Sequence, residues 1–473
     1  MSEVLSKPAA APAATAEISR RFCEHAVRLR YDDLPADVVR TVRLFLLDTL
    51  GVIGGAAHAP GIAELNGRLS RWEQGGRATG LIGRQSYGPP AAALANGAAA
   101  HALDFDDMHD PARVHAYCVM LPTLLATAEE VGQVPGRDFV LALALAVELR
   151  ARLGLACPNC LGRGWHPTMT LGVLAGAIGA GRLLGLDEDR LLHALGIAHH
   201  FAAGSAQSML DGALAKRLGA GFAARSAVMA AFFAADGITG PHRPLEGEAG
   251  LFKLQERGEV EPERLLAGFG ERWEVLNFGF KAYPCCRCKH TSIGLVLGLR
   301  ERGLRPDDVD QVEISLPQVN YQTVGHPYDP GRDSIVHAQF NVAYGFARAL
   351  ADGGVTLESY QRPQITEPRI AALTRRIRVL RDEAADPTAM GPAHIKVLRR
   401  DGGVIEVRGS RVKGSPDDPM SEAEVLAKFR SCLAFGLGTG AGEADAYAKI
   451  VLGIDSAPDV SVLATAFPQA GKP

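Results

Sequence analysis

The sequence lacks an excess of charge of one sign. Its 50 Lys and Arg stand against 53 Asp and Glu, a formal net charge of −3 over 473 residues, and both signs are scattered along the chain. That offers no basic arm or stripe for nucleic acid. It also lacks a long hydrophobic run. Arg225 interrupts the longest Ala/Phe-rich segment, so no stretch is expected to reach the roughly 18 apolar residues of a membrane span. The N-terminal MSEVLSKPAAAPAATAE has no apolar core, which argues against a secretory signal and reads as a disordered leader over residues 1–15. Cysteine is sparse. Eight in a chain of this length, two of them adjacent, do not make a disulfide framework and fit a reducing cytoplasm.

What is present is ordinary for a soluble enzyme: 47% hydrophobic and 22% charged residues, on a chain long enough for two or three domains. From about residue 16 to 270 apolar residues recur at three- and four-residue spacing, as in PADVVRTVRLFLLDTLGVIGG and RDFVLALALAVELRARLG. Ala and Gly fill these segments, which favours close helix packing over strands. After about residue 272 the texture changes. DQVEISLP alternates, with Val312, Ile314 and Leu316 on one face, and HIKVLRRDGGVIEVRG reads as a hairpin turning at Asp401-Gly402-Gly403. Helical stretches intervene at HTSIGLVLGLRERG and over 336–350, and the tail from SEAEVLAKFRSCLAFG is helical again. The fold class expected is mainly α: a large all-α helical domain over 16–272 and 409–473, with a smaller α+β lid domain over 273–408.

The densest chemistry lies in HALDFDDMHDPARVH, His101 to His115. Asp104, Asp106, Asp107 and Asp110 share fifteen positions with three imidazoles. An Ala-rich helix running into such a cluster cannot bury it unpaired, so it is solvated, paired with distant cations, or part of a site. DDMHD (106–110) also fits the DDxxD pattern that chelates magnesium diphosphate in all-α terpenoid synthases, but no second acidic motif accompanies it. Trp165-His166-Pro167 suits a helix start. Lys216-Arg217 faces solvent or reaches a carboxylate ligand. Lys281 precedes a Tyr-Pro turn and Cys285, Cys286 and Cys288, which with Cys157 and Cys160 form a weakly spaced zinc set. Tyr344 is core or presents its hydroxyl to a ligand.

Taken in order, HALDFDD, GWHPTMTLGV, LLGLDEDRLLHALGIA, AKRLGAG, GITGPHRPLEGEAGLF, KAYPCC and KFRSCLA resemble the MmgE/PrpD family of 2-methylcitrate dehydratases, cis-aconitate decarboxylases and iminodisuccinate epimerases. The resemblance runs from about residue 16 over nearly the whole chain. It implies a homodimer that needs no metal or organic cofactor. It also implies a pocket between two domains, lined by Asp104, His115, Lys216, Lys281 and Tyr344 and joined by His166. Met108, Arg217 and Cys286 are placed beside the substrate. Met108 stands where the family usually has Thr, the loop DPARVHAY is longer than usual and makes His109 the alternative to His115, and Gly219 replaces the family's second His. The reaction implied removes a proton α to a carboxylate of a small di- or tricarboxylate. His115 is the base because its ordinary pKa, about 6.5, lies near working pH. Asp104 orients the proton, and the lysines and His166 hold the carboxylates. A hydro-lyase is the first expectation, an epimerase the second and a decarboxylase the third; a binding-only relative is the reading outside catalysis.

Overall fold

Alanine-rich segments with apolar residues three and four apart form helices here, and their small side chains let those helices meet at backbone distance. A computed structural model describes residues 17–73 and 75–471; the leader expected at 1–15 lies outside the described residues. Helices α1 (Ala36–Gly55), α2 (Pro89–Ala100), α3 (Tyr117–Val131), α4 (Gly136–Ala156), α5 (Gly172–Leu183), α6 (Glu188–His200) and α7 (Ala215–Ala235) share one apolar core that includes Phe45, Leu124, Leu143, Ile178 and Val228. The approach of α7 to α2 is the closest fit. A Cβ on Gly97 would stand 2.9 Å from the Gly221 Cα, and one on Gly221 would stand 2.4 Å from the Leu94 carbonyl oxygen. That contact sets the first turn of α7, with Lys216, against the segment that leaves α2.

One expectation fails at α7. By length and composition this helix is apolar enough to cross a membrane, because the single Arg225 does not break so long an Ala/Phe pattern. Most of it is buried, packed on α2, α3, α5 and α6. It behaves as the core helix of the bundle.

The second half holds α8 (His290–Glu301), α9 (Val342–Asp352) and a four-stranded sheet of β1 (Val309–Leu316), β2 (Ile377–Arg381), β3 (Ala393–Arg399) and β4 (Val404–Gly409). The strand order is β2-β1-β3-β4, with β1 parallel to β2 and the other pairs antiparallel. Val312 opposes Val397 and Ile314 opposes Ile395, so the alternation in DQVEISLP points one face at a second core containing Ile293 and Phe346. The hairpin turns where expected, with Gly402 at φ 86°. Four features depart from the sequence reading. The 336–350 helix is two pieces, Ile335–Gln339 and α9, because the Asn341 side chain accepts the Tyr344 N–H and starts a new helix. Residues 237–289 are turns and short helices, and a small ribbon pairs Ala78–Gly80 with Gln85–Tyr87. Strand β2 is not foreseen, since a five-residue edge strand in which Val379 and Leu380 are adjacent apolar residues carries little alternation.

The chain then returns. Helix α10 (Glu422–Leu437) opens with a capping box between Ser421 and Glu424 and packs against α1, where a Cβ on Gly436 would collide with the Gly54 carbonyl.

Candidate active site

The loop from His101 to Ala116 carries the chemistry, and its acids part company. Asp107 is structural: Oδ2 accepts the Ala116 N–H at 2.8 Å and Oδ1 the Tyr117 N–H at 3.0 Å, satisfying donors at the start of α3. Asp110 pairs with Arg287 at 2.9 Å. Asp104 and Asp106 turn inward and are buried. Four carboxylates with three separate tasks do not present a magnesium-chelating face, which removes the DDxxD reading. Asp104 sits at φ 52°, a left-handed conformation that Asp tolerates better than most residues. Such strain persists only where the surroundings enforce it. Here two lysines do so. Lys216 Nζ, from the first turn of α7, meets Asp104 Oδ1 at 2.5 Å. Lys281 Nζ donates to the Asp104 carbonyl at 2.9 Å and stands 3.5 Å from Oδ1.

Asp106 forms the other half of the site. Its Oδ2 lies 2.7 Å from His101 Nδ1 and 3.3 Å from His115 Nδ1. His115 Nδ1 also donates to the Asp107 carbonyl at 2.6 Å. A carbonyl only accepts, so the His115 proton sits on Nδ1 and Nε2 carries the lone pair. The donors of His101, Asp106 and His115 all lie within 4.8 Å of one another, a spacing a divalent ion could use, but the proton on His115 Nδ1 leaves that nitrogen no lone pair for a metal. The His166 ring lies 5.8 Å from that of His101, and the His101 ring 5.0 Å from that of His115. Three imidazoles thus line up beside two ammonium groups.

Burial sets the protonation states. It pushes His115 down to about 3, with Asp106 opposing and Lys281 adding to the shift. Burial likewise holds His101 and His166 below their usual range, so all three imidazoles are neutral at neutral pH. Burial works against the Asp104 charge, but Lys216 and Lys281 outweigh it and the carboxyl stays ionised. Asp106 is also held well below the usual range, its burial outweighed by the His101 and His115 contacts. Lys281 is raised despite burial, by Asp104 and Asp106.

The structure therefore brings together Asp104, His115, His166, Lys216 and Lys281. Cys286 is buried five residues on from Lys281, and its N–H donates to the Gln339 carbonyl at 3.1 Å. Met108 exchanges two backbone hydrogen bonds with Gly279, 3.0 and 2.8 Å, and so ties the acid loop to the Lys281 segment through its main chain. Two expected residues go elsewhere. The Tyr344 hydroxyl donates to the Ser359 carbonyl and accepts from Arg348 Nε, as a satisfied core tyrosine does. Arg217, one residue from Lys216 on a helix and so turned to another face, donates to the Pro60 carbonyl at 2.8 Å. The alternative base, His109, is occupied by Glu274 at 3.3 Å and the Ala112 N–H. The cysteines do not form a zinc set: Cys157 and Cys160 belong to the helical core, and Cys285, Cys286 and Cys288 to the other.

His101 and Asp106 were missed as site residues. Both lie in the stretch singled out in the sequence, but a loop has no fixed spacing from which to read which side chains converge. Gly219 explains itself. A Cβ there would lie 2.8 Å from His166 Nδ1, so the missing side chain is the room in which His166 stands.

The MmgE/PrpD N-terminal domain model matches residues 20–263 and the MmgE/PrpD C-terminal domain model residues 283–452. The chain belongs to the MmgE/PrpD family. Among its MmgE/PrpD relatives is the cis-aconitate decarboxylase of Aspergillus terreus, 26% identical over 97% of both chains. The cis-aconitate decarboxylase-like protein oryM of Aspergillus oryzae is 28% identical over 94% of this chain and 96% of its own. Human cis-aconitate decarboxylase is 27% identical over 95% and 94%.

Proposed function

We propose that this protein is a lyase that makes or quenches a carbanion next to a carboxylate of a small di- or tricarboxylate, with decarboxylation of a cis-aconitate-like acid as the first reading. One observation carries the mechanism: His115 is locked through Nδ1 to the Asp107 carbonyl and Asp106, so Nε2 is the atom that exchanges the proton. The full-length relatives support the decarboxylase over the dehydratase first expected from sequence. In this reading Lys216 and Lys281 move from Asp104 to the substrate carboxylates, which they bind as compact charges. One carboxylate leaves as carbon dioxide. The electron pair it leaves is delocalised towards a neighbouring carboxylate held by a lysine, and a proton from His115 Nε2 quenches it at carbon. The bound anion raises His115 from its neutral resting state, so that Nε2 takes up a proton from water before carbon dioxide leaves, and Asp106 supports the imidazolium.

The second reading is dehydration of a 2-methylcitrate-like acid. The neutral resting state of His115 favours it, since that reaction begins with a base taking the α proton. The two are separated by product. Chelator-treated protein is given cis-aconitate and 2-methylcitrate, and carbon dioxide and alkene are measured. Carbon dioxide from cis-aconitate supports the first reading; alkene formation from 2-methylcitrate without carbon dioxide replaces it by the second. Turnover of neither sinks both. Lys216→Ala is expected to lower kcat/KM at least 100-fold with the fold intact by circular dichroism. We propose in addition that the working protein is a homodimer, checked by light scattering.

A further inference from the structure

Arg217 is a buried cation with no anion in contact. It is 3% exposed. Among the described residues its guanidinium makes one hydrogen bond, to the Pro60 carbonyl, and no ion pair. A buried charge with no ion pair is costly, and burial pushes this guanidinium down to about 10 with the Asp104 charge opposing. The side chain lines a cavity of about 200 Å³. Asp104, His115, Lys216 and Lys281 take no part in the lining, although the Asp104 charge reaches the guanidinium. Leu103, Ile335, Leu357 and Phe435 supply apolar wall, and Gln339 closes one side while its Nε2 donates to the Leu103 carbonyl at 2.8 Å.

We infer that this cavity is a second binding site, for a small aliphatic monocarboxylate whose head pairs with Arg217 and whose tail lies on Leu103, Ile335 and Phe435. The chemistry follows from the walls. A guanidinium presents a planar fork that fits a carboxylate with two hydrogen bonds, and the volume holds about seven non-hydrogen atoms at the ~30 Å³ each water occupies in the liquid. His58, Tyr360 and Gln361 also line the cavity but supply no second Lys or Arg, so a tricarboxylate would leave two further charges without a cation, which sets this ligand apart from the substrate. The walls come from both halves of the fold, and two of them are next-door residues of the reacting pair: Leu103 precedes Asp104 and Arg217 follows Lys216. An occupant therefore clamps the two halves together beside the Asp104–Lys216 contact.

Calorimetric titration of the full chain with sodium butyrate, at constant ionic strength, tests this. Butyrate is expected to bind at least tenfold more tightly than acetate. Arg217→Gln and the cavity-filling Ile335→Phe are each expected to weaken butyrate at least tenfold, while Lys281→Met leaves it unchanged. No butyrate binding to the wild type, or equal binding to Arg217→Gln and wild type, overturns the inference. Should Arg217→Gln fail to fold, Ile335→Phe decides alone, and undiminished binding there overturns it. Loss in Lys281→Met with retention in both cavity variants places butyrate in the Asp104 cluster and overturns it too. Displacement of butyrate from Lys281→Met by cis-aconitate would assign the cavity to the substrate's own far carboxylate and end its independence.

Discussion

Asp106 is the residue on which the site turns, because two imidazoles share one of its oxygens. Its negative charge raises His115 against the lowering effect of burial. Asp106→Asn is therefore expected to reduce kcat about 100-fold or more, within the range general acid–base groups supply. It should also move the limb of the kcat/KM profile that His115 sets to lower pH. An unchanged limb with reduced kcat would make Asp106 merely structural. Gly219→Ala places a methyl group against His166. A helix interior gains up to about 1 kcal/mol from Gly→Ala, so stability should hold within a few degrees of Tm while kcat drops at least tenfold. Equal activity would show that His166 is not needed where it stands. At this scale the sequence was partly legible. Asp104, Lys216 and Lys281 were legible through the family resemblance, which supplied distant cations for an acid cluster whose partners the local residues left open. His101 and Asp106 did not, because their pairing depends on how a loop closes. Arg217 turns to the Pro60 carbonyl because adjacency in sequence is not adjacency on a helix face.

Among the elements, α10 and the acid loop are joined by one buried cation. Lys428 pairs with Asp48 of α1 at 2.8 Å and donates to the Phe105 carbonyl at 2.8 Å, with both side chains nearly inaccessible. Removing one partner of a buried pair costs about 3–5 kcal/mol, whereas replacing both by apolar groups is often neutral. Lys428→Met should accordingly lower stability by about that amount in urea unfolding, and Lys428→Met with Asp48→Leu should recover most of it. Equal loss in the single and double variants would show that the pairing does not matter. The helices themselves were legible, since spacing at three and four residues survives any tertiary context. Their breaks were not: Asn341 divides one amphipathic run by capping, and β2 is an edge with little alternation. The α7 membrane test shows the same limit from the other side, since composition cannot distinguish lipid from a protein core as the surroundings of a helix.

For the whole molecule the buried imidazoles govern the response to acid. His115 is held near 3 in the folded state and titrates near 6.5 when unfolded. Between those values the unfolded chain binds the extra proton, so stability is lost as pH falls through that window. His101 and His166 act with the same sign, while Asp107, pushed up to about 7 by burial and Asp106, opposes them. The urea midpoint should fall from pH 6.5 to 4, and less steeply in His115→Asn; equal slopes would contradict a neutral buried His115. The most direct measurement of the central claim is proton NMR of turnover in deuterated buffer, comparing the chelator-treated wild type with His115→Asn. The wild type should place one deuteron at the carbon next to a carboxylate in the product, or exchange that hydrogen in the substrate. His115→Asn, folded by circular dichroism, should do neither at a measurable rate. Deuterium incorporation in His115→Asn at a rate near the wild type's would contradict the assignment of the proton to His115 Nε2.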